Sequence, residues 1–226
     1  MTTNLRVCLT ILALGFAIEG IGELYSFLSK GSFHPGASLL FALPIVMTLA
    51  GLLFVWIGRH EWNELHRSRV RSAHLVFGLS LLGGVVGGAV VAVLYLAPGL
   101  GVPGWAEVLF GASLGSLILG TFVTYVILVF HLVPRRGQAL LLASIAWALV
   151  VSTLIGIALG ENLTTVMTLL STRTLGVPQF VAPVNAIDSY LFVSYFLLLA
   201  AYIDAHRTVA RGPPSSTPPA PPAPAP

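Results

Sequence analysis

Glu19 and Glu23 stand four residues apart inside an otherwise apolar stretch, which places both carboxylates on one face of a helix. Counted from Leu5 at 1.5 Å per residue, they lie about 21 and 27 Å along the axis, in the far half of a hydrocarbon core about 30 Å thick. Asp188 falls about one turn into the last apolar stretch from its distal end, at similar depth. A carboxylate at membrane depth costs a few kcal/mol on insertion scales, so its presence points to function by default. If the three face one another, crowding and poor solvation suit them to taking up a proton or a small cation from outside. Asn185, Tyr25, Ser189 and Tyr190 are the nearby polar groups available to such a site. The competing account is structural: Glu23 and Asp188 reach the outer interface, while Glu19 pairs with Lys30, Arg173 or a tyrosine hydroxyl.

No motif fixes a reaction, so no catalytic residue is assigned and an enzyme is the less favoured class. His60-Glu61-Trp62-Asn63-Glu64-Leu65-His66 differs from HExxH: His60 and Glu64 share a face, but His66 points elsewhere. We read it as a solvated basic loop, and we assign no metal and no cofactor. The one cysteine, Cys8, excludes an internal disulfide and any CxxC site. The glycines of 83–88 lie in an apolar span, not in a phosphate-binding loop. Nothing points to nucleic acid. Asn162-Leu163-Thr164 matches a glycosylation sequon close to the membrane.

These residues need an apolar scaffold, and the composition supplies one. Of 226 residues, 56% are hydrophobic and 8% charged, against roughly 25% charged in a soluble domain. The fold class expected is all-α, a polytopic transmembrane helix bundle in residues 1–211. Six apolar stretches, at 5–28, 37–58, 73–98, 108–134, 139–159 and 184–203, are each long enough to span. A helix satisfies its own backbone in lipid, and runs such as Val85 to Leu96 lack the alternation of a barrel strand. The first stretch, interrupted by Glu19 and Glu23, reads as a retained span and not a cleaved signal. The segment from Glu161 to Pro183 is open: an extension of span five, a surface helix or a re-entrant dip. Residues 212–226, rich in Pro and Ala, read as a disordered cytoplasmic tail.

Orientation follows from the basic residues. With the N-terminus inside, nine arginines lie on inner segments, while only Lys30 and Arg173 lie outside. The positive-inside rule then gives six spans, N-in and C-in, in the cell membrane. Arg59, Arg67, Arg69 and Arg71 in the inner connection suit anionic lipid headgroups.

Small residues recur at helix-neighbour spacing: Gly83, Gly84, Gly87 and Gly88 in span three, Gly111 and Gly115 in span four, and Ser144, Ala148, Ser152 and Gly156 in span five. Such ridges let helix backbones approach closely. Packing within the bundle is the plainer use; joining a second copy or a membrane partner subunit is the other. Two function classes therefore stand: a small membrane protein that binds or moves a cation or proton at Glu19, Glu23 and Asp188, and a non-catalytic scaffold or accessory subunit of a larger assembly. The bilayer is the one partner common to both.

Overall fold

A computed structural model describes residues 3–29, 37–96, 103–163 and 186–212. Asn185, the open stretch up to Pro183 beyond Leu163, and the Pro/Ala tail beyond Gly212 lie outside the described residues. The described chain is helical throughout, without a strand. Among the described residues there are six α-helices, in chain order: α1 (Thr3–Leu28), α2 (Ala37–Ile57), α3 (Glu64–Leu96), α4 (Gly104–Val129), α5 (Arg135–Glu161) and α6 (Phe192–Ala210). Short 3₁₀ turns at Gly58–His60 and Ser189–Leu191 follow α2 and lead into α6. Among the described residues, five helical stretches are long and apolar enough to cross a bilayer: those of α1, α3, α4 and α5, and Ala186–Ala210. The stretch Val46–His60, which includes most of α2, is a shorter apolar helix.

The helices extend beyond the hydropathic stretches at several ends. Span three, expected from residue 73, begins as a helix at Glu64, because Asn63 caps it. Its Oδ1 accepts the backbone N–H of His66 at 2.8 Å, the bond an N-cap residue makes to the third helical position. Hydropathy registers only the lipid-facing part of such a helix; the polar turns from Glu64 to Ser72 still have good helix formers. Arg67, Arg69 and Arg71 therefore sit on α3 and not in a loop. The last helix likewise runs to Ala210, ending where Gly212 takes φ +87°, a left-handed position suited to glycine, and its N–H returns to Val209 O at 3.2 Å.

Helices α3, α4, α5, α6, α1 and α2 pack side by side in that order, and α3 returns towards α2 through the His74 ring, 5.0 Å from Trp56. Close approaches hold the row together. A Cβ placed on Gly111 would overlap the Gly156 carbonyl, one on Gly156 would lie 2.8 Å from Gly111 O, and one on Gly160 would lie 2.8 Å from Glu107 O. Gly115 faces Ser152 O in the same way, at 3.0 Å. Ser144 and Ala148 are fully buried, and Ser194 donates to Ser144 O at 3.0 Å, joining α5 to α6. The four ridge glycines of α3 divide. A Cβ on Gly84 would meet Leu117 and one on Gly87 would meet Ser113, whereas one on Gly83 or Gly88 would meet nothing within 4 Å among the described residues.

The arginine-bearing segments gather at one end of the bundle. Glu61, just beyond the turn after α2, reaches the start of α1, where its carboxylate accepts from Asn4 Nδ2 at 2.6 Å and from the Leu5 N–H at 3.0 Å. The first N–H groups of a helix have no partner within it, and a negative charge there is favourable. Arg6 donates to Ala210 O at 3.1 Å, near the end of α6. His66 at the start of α3 meets His131, in the turn beyond α4, through Nδ1 and Nε2 at 3.0 Å. The first helix, the α2–α3 connection, the α4–α5 turn and the end of α6 thus share one end.

Candidate functional site

Phe16, Gly20, Glu23 and Phe27 recur at steps of three and four, and so form one stripe along α1. That stripe faces α6. Gly20 leaves the space that the Phe196 ring occupies: a Cβ there would lie 3.1 Å from the ring. Glu23 is only 5% exposed, and Glu19, one turn earlier, is half-buried. Asp188, also half-buried, lies within electrostatic range of both. The three acids that the sequence singled out do come together, from the distal half of α1 and the lead-in to α6. Tyr25, on another side of α1, is 55% exposed.

Aromatic layers bound the carboxylates along the axis. One turn towards the arginine end, Phe16 meets Tyr125 of α4 edge-on at 4.8 Å, Tyr202 of α6 at 4.8 Å and Tyr195 of α6 at 6.5 Å. Edge-to-face contacts of this kind add to area burial. Two phenols of this floor are engaged: the Tyr125 hydroxyl shares a hydrogen bond with Thr48 at 2.7 Å, and the Tyr202 hydroxyl donates to Tyr125 O at 2.9 Å. In the other direction Phe27 packs on Tyr190 at 5.2 Å and on Phe192 at 5.6 Å. Trp147 of α5 donates its indole N–H to Tyr190 O at 2.7 Å and so fixes the short turn that directly follows Asp188.

Tyr195 stands closest to a hub, within electrostatic range of Glu19, Glu23 and Asp188 at once. Sequence reasoning missed it, although it follows Asp188 by two helical turns and so belongs to the same face. Phe16 and Phe27 were missed for the same reason; the stripe they form with Glu23 was the available signal.

Among the described residues, no three His, Cys, Asp or Glu side chains converge closely enough to hold a metal ion. The acids are electrostatic neighbours, not a closed cage of ligands. Exchange of a proton asks less of such a group than chelation, since it needs no fixed coordination distances.

The arginine end departs from the solvated loop expected of His60 to His66. His66 is fully buried against His131. Whichever ring donates the bond between them, His66 Nε2 and His131 Nδ1 are buried without a hydrogen-bond partner among the described residues. Burial, with His66 and Arg69 adding to it, pushes the His131 imidazole down to about 4. Of the four arginines assigned to headgroups, Arg69 and Arg71 are exposed. Arg59 lies 4.5 Å over the Trp56 ring and donates to Trp56 O, and Arg67 pairs with Glu64 at 3.5 Å. Compared with protein-family models, with curated proteins and with solved structures, the chain matches none.

Proposed function

We propose that this chain is a six-span protein of the cell membrane, with both described ends on the cytoplasmic side, that binds or moves a proton or small cation through Glu19, Glu23 and Asp188. The observation that carries this reading is a glutamate buried to 5% exposure at membrane depth, with a second acid one turn away and a third within electrostatic range. Burying one carboxylate in an apolar bundle is costly, and placing three together adds repulsion that a proton or cation would relieve. The gathering of arginine segments at one end supports the cytoplasmic assignment of that end. The looseness of the trio favours a proton over a divalent ion as cargo. The test is flux in proteoliposomes: Glu19→Gln with Glu23→Gln should abolish pH- or cation-dependent flux, and unchanged flux in the double variant would remove this reading.

One observation favours the second reading, a scaffold or accessory subunit. A Cβ on Gly83 would meet nothing within 4 Å among the described residues, and Gly83 lies on the helix that buries least of its span. Leu75, Leu79, Leu82 and Val86 are exposed on the same helix. This face suits a second copy or a partner helix. Detergent-extracted protein that runs strictly as a monomer with nothing co-purifying would count against it.

A further inference from the structure

We propose that the groove between α1 and α6 at the arginine end is a site for one anionic phospholipid, its headgroup phosphate at His206 and Arg207 and an acyl chain along the groove. The inference rests on the bilayer placement and not on the carboxylate site.

The groove encloses about 340 Å³, within the range of small-ligand sites. It exists because α1 presents Ala13 and Ala17, four residues apart with little bulk, opposite α6. Tyr202 turns inward to reach Tyr125 O and forms the floor, while Leu199 and Ile203 form the wall. From Leu199 to Arg207 the groove runs about 12 Å, from mid-core to the polar interface. An acyl chain covers such a slot without leaving polar groups unpaired.

Charge selects the headgroup. The Arg207 side chain is 68% exposed, and it meets Asp204, whose side chain is 25% exposed, through Nη1 alone at 3.6 Å. Its guanidinium therefore retains donors for a phosphate, which it matches in a two-pronged manner. The carbonyl ends of α6 would repel an anion, but Arg6 donates to Val209 O at 3.4 Å and Ala210 O at 3.1 Å and offsets them. The groove between α4 and α5 supplies the contrast. It is larger, about 490 Å³, but Glu107 and Glu161 stand at its end, where an anionic headgroup would be repelled.

The full chain in mild detergent is titrated by native mass spectrometry with phosphatidylglycerol, with phosphatidylcholine of the same acyl chains, and with inorganic phosphate. Wild type should retain one phosphatidylglycerol at about tenfold lower concentration than phosphatidylcholine. His206→Gln with Arg207→Gln should bring the two lipids level. Ala13→Leu, which fills the slot, should weaken both lipids, and Thr153→Leu in the α4–α5 groove should change neither. Circular dichroism confirms that each variant keeps its helices. Equal retention of the two lipids by wild type would overturn the proposal, as would a preference that survives the double Gln variant. Saturation by inorganic phosphate with no effect of Ala13→Leu would assign a free-anion site and overturn it too.

Discussion

Replacing Gly156 by alanine should destabilise the bundle, whereas the same change at Gly83 should not. The added Cβ at Gly156 falls 2.8 Å from Gly111 O, and ordinary contact begins near 3.4 Å, so α4 and α5 must part by roughly 0.6 Å. The opposing atom is backbone and cannot swing aside. The displacement is shared along the seam, where Gly115 and Gly160 sit against Ser152 O and Glu107 O. Overpacking of this kind costs about 1–3 kcal/mol, and alanine returns up to about 1 kcal/mol through helix propensity. The net expectation is a loss of about 1–2 kcal/mol for Gly156→Ala. Gly83→Ala meets nothing within 4 Å and should be neutral or gain up to about 1 kcal/mol. Far-UV circular dichroism during titration of detergent-solubilised protein with a denaturing detergent measures both. Equal midpoints for the two variants would refute the reasoning, since both glycines belong to closely similar sequence patterns and differ only in what they touch.

Two further expectations concern the arginine end. Glu61→Gln removes the charge that caps α1 while keeping an acceptor for Asn4 and Leu5; a loss of about 1 kcal/mol in the same titration is expected, and an unchanged midpoint would mean that the contact contributes nothing. His131, held near 4 in the fold against about 6.5 unfolded, binds a proton more readily once the chain unfolds. Stability should therefore fall as pH drops from about 6.5 towards 4. The ceiling is about 3.5 kcal/mol at about 1.4 per unit, which partial exposure reduces to about 1. His66, which burial also holds down to about 4, keeps part of the dependence, so His131→Gln should lessen the slope between pH 6.5 and 5 relative to wild type, and equal slopes for the two proteins would sink the assignment.

How far the fold was legible depends on which forces write themselves into local composition. The helical apolar stretches were, because lipid exposure demands apolar side chains all round a helix. The polar helical turns flanking them were not. Asn63 caps α3 from within a stretch read as solvated loop, and the cap signal is one side chain against many arginines. The glycine ridges were legible as ridges, but which glycine faces a neighbour depends on rotation about the helix axis. Gly83 and Gly84 are adjacent in sequence, yet among the described residues a Cβ on Gly84 would meet another helix and one on Gly83 would not.

The candidate site divides along the same line. Two glutamates inside an apolar run announce themselves through their cost, and their shared face follows from their spacing. Bringing Asp188 to them requires α6 to pack on α1, and no local pattern encodes that partner choice. Its determinants are dispersed: Gly20 admits Phe196, Trp147 holds the Tyr190 carbonyl, and Ser194 joins α5. The His66–His131 pair was hidden for the opposite reason. Each histidine sits among arginines and reads as interfacial, and only the meeting of α3 with the α4–α5 turn buries His66 and half-buries His131. A titratable group in this protein is thus recognisable from sequence when its own helix makes it costly, and unrecognisable when a different helix does.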